Sequence, residues 1–363
     1  MTAPVTMRQI AERAKVSIGT VSHVINETAA VRPKLRERVL EAIRSMGYQP
    51  SALAQGLRKN RTNMLGMVIP DITNPFFPSV VRGVEDVAYK RSFRVILCNA
   101  DNDPAKEALY VRELSSYRIA GLLIIPAGGA DIADHLRAYA SASVPVVCID
   151  RVPDGWKGDA VLVANAEGAY LATRHLIQMG HKRLAVIAGP LGLTNAAERL
   201  KGFTRALNEA RIEIEPEFIQ EARFDTESGY RAALRILRML PRPTGIFACN
   251  DLMAFGVLQA ARELGLRCPE DLSIAGFDSL EFTKFTDPSL TSVYQPGYQL
   301  GATAARLLLQ RVDGLRSAAK KVLLPTDLKK RNSVGPPHAD LPETIARTRK
   351  ERERSTPRRK RLV

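Results

Sequence analysis

The pattern of apolar positions changes character twice along the chain, and each change marks a boundary. Up to Tyr48 apolar residues recur in short bursts at helical spacing. Met7, Ile10, Ala11 and Ala14 share one face of a first helix, opened by Thr6 with Gln9 three residues on, the spacing of a capping box. Val21, Val24 and Ile25 form the inward face of a second helix, for which Ser17 is the N-cap, so that its free first-turn amides point outward as a phosphate site. Thr20, Ser22, His23 and Asn26 fall on the outer face, all short or flat groups able to hydrogen-bond a polyanion or a base edge. A third helix carries Leu35, Val39, Ala42, Ile43 and Met46 between Pro33, suited to a first helical position, and Gly47, suited to the residue past the end. Only Ala14-Lys15-Val16 separates the first two helices, which leaves room for a tight corner and nothing else. Residues 1–48 are therefore predicted to be an all-α helix-turn-helix headpiece.

The next stretch, residues 49–62, is a hinge helix or linker. Leu53 and Leu57 lie four apart with Ala52 and Ala54 beside them, and a helix this short is marginal in water on its own. From Leu65 onward, apolar runs alternate with amphipathic helices. Leu65–Ile69, Phe93–Cys98, Gly121–Ile125, Val144–Ile149, Leu184–Ala188, Ile246–Cys249 and Leu272–Ala275 read as strands. Stripes such as Tyr170–Met179, Tyr230–Leu240 and Leu252–Leu264 read as helices, and Asp103-Pro104 as a helix start. This alternation predicts parallel sheets covered on both faces, in two α/β subdomains that meet near Val161–Asn165. Residues 336–363 contain only Leu341, Ile345, Leu362 and Val363 as large aliphatics, and read as a disordered basic tail.

Charge sharpens this division. The chain of 363 residues carries a formal charge of +15, unevenly spread. Residues 1–62 hold eleven Lys and Arg against four Asp and Glu, residues 329–363 hold twelve against four, and the middle holds thirty of each. A basic head on a neutral body is the footprint of a polyanion-binding module joined to something else. Cys98, Cys148, Cys249 and Cys268 are scattered without zinc-site spacing, so free thiols in a reducing compartment are expected, and no metal or cofactor. No apolar run is long enough to span a membrane. Pro4, Arg8 and Gln9 interrupt the N-terminus where a signal peptide would need an apolar core, so a cytoplasmic protein is expected. His175 and His181 are six apart near a helix exit and read as structural. There is no Gly-x-Ser-x-Gly, no phosphate-loop motif and no dinucleotide glycine pattern in Leu65–Phe77, which argues against an enzyme.

In open α/β sheets, ligands bind beyond the carboxyl ends of the strands. That rule selects Phe76 and Phe77, Asp150 with Arg151, Thr194, Asn195 and Arg199, Phe224, Asn250 with Asp251, and Asp278. Aromatic faces with convergent carboxylates, an amide and a guanidinium suit a small polyhydroxylated molecule. Each also has a plainer reading: a local ion pair at Asp150-Arg151, a helix cap at Asn250 or Asp251, a turn at Asp278.

The run from Val5 to Tyr48, with Thr-Val-Ser at 20–22 and Val-Ile-Asn at 24–26, followed by Pro50 to Leu57, resembles the headpiece and hinge of the lactose-repressor (LacI/GalR) family of bacterial transcription regulators. The resemblance continues to about Arg331. It implies a periplasmic-binding-protein-like effector domain over 63–335, with an N-subdomain of about 63–162 and 294–323 and a C-subdomain of about 163–293 and 324–335. The implied crossings lie near Asp287–Gln295 and Leu324. It also implies a homodimer on double-stranded operator DNA, probed by Thr6, Ser17, Ile18, Gly19, Thr20, Ser22, His23 and Asn26 in the headpiece. Ala54, Leu57 and Arg58 would join from the hinge, with Leu57 as a minor-groove wedge. Asp150, Arg199, Asn250 and Asp278 match effector-contacting positions, with Phe76, Phe77, Asn195 and Phe224 around them. Two departures stand out: Ala164-Asn165 where relatives commonly have Asp-Asn, and Leu193 where a purine-responsive member has arginine. With Asn250 retained, a sugar-like effector is favoured. A carbohydrate-binding protein, or a sugar or nucleotide enzyme on the same fold, is the alternative.

Gly19 has no side chain for base readout, so sequence preference is expected to rest on Ile18 and His23, against a thymine methyl and a purine acceptor. Gly19→Gln should redirect the sites selected from random DNA while keeping affinity. Altering Ile18 and His23 together should move them as well, and unchanged sites would overturn the assignment.

Overall fold

The computed structural model describes residues 5–26, 29–48, 62–128, 132–141 and 144–338. Ala54, Leu57 and Arg58, like the basic runs of the tail, lie outside them.

Three helices open the chain: α1 (Met7–Ala14), α2 (Ile18–Asn26) and α3 (Pro33–Met46). Thr6 and Gln9 form the reciprocal capping box at the start of α1. Lys15 takes a left-handed conformation to make the corner, and the Thr20 amide donates to Ser17 Oγ at 3.1 Å to start α2. Ile10, Ala11, Ala14, Val21, Val24, Val39 and Ala42 close the core. From α3, Arg38 donates to the carbonyls of Ala14 and Lys15, covering acceptors that the end of α1 leaves open. Ser22 departs from the expected outer face. It is only 5% exposed, because its small side chain sits on the packed side of α2, and Asn26 Nδ2 folds back onto its carbonyl at 2.8 Å.

The body contains two six-stranded sheets. The first runs β11 (Lys321–Leu324), β5 (Asp159–Val163), β4 (Val146–Ile149), β3 (Gly121–Ile124), β1 (Met64–Ile69), β2 (Arg94–Asn99), all parallel. The second runs β12 (Asp327–Lys329), β10 (Thr291–Tyr294), β9 (Ser273–Asp278), β8 (Gly245–Ala248), β6 (Leu184–Ala188), β7 (Ile219–Glu221), parallel except for β12. The chain thus passes between sheets after β5, after β10 and between β11 and β12. Strands β5, β7, β10, β11 and β12 were not legible as apolar runs: they are short, and several lie at or near sheet edges where polar residues are tolerated.

Helices α4 (Phe76–Lys90), α5 (Pro104–Ser116), α6 (Ile132–Ser141) and α11 (Gly297–Val312) cover the first sheet, and α7 (Asn165–Gln178), α8 (Thr194–Glu209), α9 (Thr226–Leu237) and α10 (Asp251–Glu263) cover the second. The stripe expected to reach Leu240 stops at Leu237, because the residue before Pro241 is driven out of helical conformation, and Leu240 is 82% exposed. In the first layer, the sole tryptophan, Trp156, is buried against Gly158 and donates Nε1–H to the Asp159 carbonyl at 3.1 Å.

Helices α4 and α11 approach so closely that a Cβ on Gly301 would lie 2.0 Å from the Val80 carbonyl oxygen. That neighbour is backbone and cannot rotate away. Gly301→Ala should therefore cost about 1–3 kcal/mol through overpacking. Gly192→Ala, with nothing within 4 Å of its added methyl, should be close to neutral. Urea midpoints of the two variants check the contrast.

Candidate functional site

The carboxyl ends of both sheets face one another across a cleft with an inner pocket. From the first subdomain it receives Phe76 and Phe77 at the start of α4, ring centroids 5.4 Å apart edge to face, and Asp150 and Arg151 after β4. From the second come Asn195 and Arg199 on α8, Phe224 after β7, Asn250 before α10 and Asp278 at the end of β9. All eight expected effector residues therefore line one pocket. Asp71, Asn74, Asn102, Arg223 and Gln295 join them. These five sit in loops or beside short strands, where residue type gives little signal; Gln295, directly after an unrecognised strand, obeys the same strand-end rule.

Arg199 organises the floor. Its Nε donates to Asn165 Oδ1 at 2.9 Å and its Nη1 to the Cys249 carbonyl at 2.5 Å, with Asp278 Oδ1 at 3.8 Å. The guanidinium lies 3.7 Å above the Phe277 ring centroid and 5.9 Å from that of Phe224. Asp278 Oδ1 also accepts from Gln295 Nε2 at 2.6 Å. Asn250 caps α10 through the Met253 amide at 2.9 Å and donates to the Phe224 carbonyl at 3.0 Å, so its capping role is real and its amide is already engaged. Asn195 donates to Asp150 Oδ2 at 2.9 Å while its own Oδ1 accepts from Ala196. Asp150 Oδ1, Gln295 Oε1 and Arg151 Nη2 are buried without a hydrogen-bond partner in the protein.

Burial raises the carboxyls of Asp150 and Asp278, the latter strongly; Arg199 pulls both back, and Asp251 and Asp150 push Asp278 further up. Beneath the floor, burial pushes Asp251 to about 7, opposed by hydrogen bonds from Ser292 and the Leu280 amide. Of the two histidines, His181 is buried with both ring nitrogens within 2.9 Å of Thr244 Oγ1 and the Gly335 carbonyl, and burial lowers its pKa. Among the described residues no group of three or more His, Cys, Asp or Glu side chains could hold a metal, and no helix is long and apolar enough to cross a membrane.

In the headpiece, Thr6, Ser17, Gly19 and His23 are exposed, Ile18 is 50% exposed, and Thr20 and Asn26 are half-buried. All but Thr6 belong to α2, with Ser17 directly before its first residue and Asn26 as its last.

Residues 6–51 match the profile of bacterial regulatory proteins of the lacI family, and residues 173–334 that of the periplasmic binding protein-like domain. The HTH-type transcriptional repressor PurR of Aliivibrio salmonicida is 37% identical over 85% of this chain and 92% of its own length. The chain belongs to the LacI family. Its members are DNA-binding transcriptional repressors with this pairing of headpiece and two α/β layers. A lac repressor dimer bound to operator and the anti-inducer ONPF superposes with a TM-score of 0.82 at 28% identity, over 92% of this chain and all of that one. The transcriptional regulator CelR in complex with cellobiose gives 0.70 at 31% identity, over 91% and 99%.

An acid whose folded pKa is raised binds its proton more tightly folded than unfolded, so stability falls as pH climbs from the ordinary carboxylate range through the folded value. The melting temperature should accordingly drop between about pH 4.5 and 7.5. Asp251→Asn should make that drop shallower, without abolishing it while Asp278 remains. A slope identical to wild type in scanning calorimetry would remove Asp251 as a contributor.

Proposed function

We propose that this LacI-family repressor acts as a cytoplasmic homodimer on double-stranded operator DNA, and that a small sugar-like effector held in the cleft sets its operator affinity. It works as a regulator rather than a catalyst. The observation that carries the effector reading is the pair of buried acceptors, Asp150 Oδ1 and Gln295 Oε1, that line the pocket without a donor from the protein. Hydroxyl groups supply such donors, and a buried acceptor gains from pairing what it loses by standing alone. The rings of Phe76 and Phe224 offer apolar walls on either side of a polar floor, the usual make-up of a carbohydrate pocket.

A ligand gripped by both subdomains gains affinity from their closure and so can bias it, which is how the cleft would reach the headpieces. Asp150 lies on one side, Arg199 and Asp278 on the other. The homologues named PurR favour a second reading, a purine-type effector. Against it, Leu193 lies outside the inner pocket and lines only its outer mouth, where it offers no hydrogen bond to a base.

Calorimetric titration with a panel of monosaccharides, disaccharides and purine bases distinguishes the readings. A sugar is expected to bind, and its affinity should fall about ten- to a hundredfold in Arg199→Ala, the loss of one charged hydrogen-bond partner of roughly 1.5–3 kcal/mol. The same variant should bind DNA normally. Binding of purines alone would replace the sugar reading, and undiminished affinity in both Arg199→Ala and Asp278→Ala would place the site elsewhere.

A further inference from the structure

Outside the inner pocket the cleft widens into a mouth of about 800 Å³, and most of the free space of the cleft lies there. Cavities of this size take up whole small molecules. Asp71, Asn102, Arg151, Arg223 and Phe224 line both spaces, so the mouth continues the pocket directly.

The walls of the mouth are set in advance. Pro104 at the start of α5, Pro126 after β3, Pro153 after β4 and Pro190 after β6 all stand in its lining, each with a fixed φ. Behind Pro126, the fully buried Glu107 accepts the Ala127 N–H through Oε2 at 2.5 Å, while Arg151 Nε donates to the Pro126 carbonyl at 2.5 Å. One peptide of the wall is thus held from both edges. The opposite lip meets this wall: a Cβ on Gly128 would lie 2.9 Å from Leu193 Cδ2, and Thr194 Oγ1 is 3.3 Å from the amide and the carbonyl of Val152.

Backbone strain collects in the same place. Among the described residues ten that are not glycine have positive φ, and five of them, Asp101, Asn102, Asp150, Phe224 and Asp278, line the pocket or the mouth. Asp101 and Asn102 are left-handed in succession, at +54° and +57°. Asn99 and Lys106 hold the Asp101 carboxylate, and the Asn102 amide donates to the Pro70 carbonyl at 2.7 Å. Across the cleft Phe224 has a φ of +64°, which a bulky side chain rarely adopts. Its carbonyl is fixed by Asn250 at 3.0 Å and its ring lies on Gly189, where a Cβ would be 2.1 Å from Cζ. Such strain survives only where neighbouring contacts impose it, and it marks functional positions. Here it sets one amide and one aromatic ring at the junction of pocket and mouth, on opposite walls.

We propose that the effector is a neutral disaccharide, with one ring in the inner pocket, the second in the mouth, and the glycosidic link passing between Asn102 and Phe224. This rests on the cleft being a sugar site and names the size and charge of the sugar. For hydroxyl groups the mouth offers carboxylate acceptors at Asp71, Asp154 and Asp225 and donors at Asn102 and Arg223. Arg151 adds Nη2, a buried donor without a protein partner. The charges select against a phosphorylated or acidic second unit. Even with Asp101 paired to Lys106, three carboxylates face two guanidiniums, and Arg223 Nε is already 3.4 Å from Asp225.

Calorimetric titration of the full-length chain with glucose, galactose and xylose, and with cellobiose, maltose, lactose, melibiose and xylobiose, tests this. At least one disaccharide is expected to bind about tenfold or more tightly than the monosaccharides it contains, the worth of one or two hydrogen bonds in the mouth. Gly192 lines the mouth but not the pocket, is exposed, has no positive φ, and has nothing within 4 Å of an added Cβ. Gly192→Phe should therefore fill the mouth, bringing the disaccharide down to the affinity of its monosaccharide while leaving the monosaccharide unchanged. A monosaccharide that binds as tightly as every disaccharide containing it, or full disaccharide affinity in Gly192→Phe, would overturn this proposal and leave the sugar reading standing. No binding by any sugar of either size would overturn both.

Discussion

Burying a guanidinium between two α/β layers is expensive unless its donors and its face are all occupied. Arg199 meets much of that condition, through Nε, Nη1 and its face, with parts drawn from separate segments: the side chain of Asn165 from the start of α7, the carbonyl just after β8, the carboxylate that ends β9 and the aromatic ring before it. None of these elements can shift far without stranding a buried charge. The floor of the cleft is therefore held to one arrangement before any ligand arrives. What stays adjustable is the opposite wall, where Asp150 meets the second subdomain through a single carboxylate oxygen.

The headpiece was largely legible in the sequence because its signals are local. A capping box, a three-residue corner and a terminal glycine each act within one turn of chain, and Thr6, Lys15 and Gly47 do what their positions imply. Ser22 was misread for the complementary reason. A serine satisfies either face of a small helix, and only packing against neighbouring helices decides between them. Arg38 shows the same limit: nothing near it in sequence indicates that it will close the end of α1.

In the body, strands buried in the middle of a sheet announced themselves as apolar runs, while short peripheral strands such as β7 and β12 did not. The strand-end rule nonetheless brought all eight expected effector residues to one pocket, since it depends on topology and not on exact boundaries, although Thr194 and Asp251, which it also selected, do not line that pocket. Glu107 escaped it. It sits one turn into a helix, at a position where a glutamate is ordinarily an unremarkable first-turn acid beside the positive end of the dipole. Only the return of β3 and its loop beneath α5 makes that carboxylate an interior group.

Trp156 gives the molecule an internal optical reporter. Being the sole tryptophan, it allows light near 295 nm to excite one known place, a buried ring seated on Gly158 in the first layer. The segment that carries it begins at Asp150, the residue contacted from across the cleft, and ends at Asp159, whose carbonyl holds the indole N–H and whose carboxylate is gripped by Arg311 at 2.7 and 2.8 Å. Because Arg311 fixes the far end, slack introduced at Asp150 has to be taken up between the two, where the indole sits. Emission from this chain therefore reports on the cleft's first wall alone, with no background from the second layer or from the headpiece.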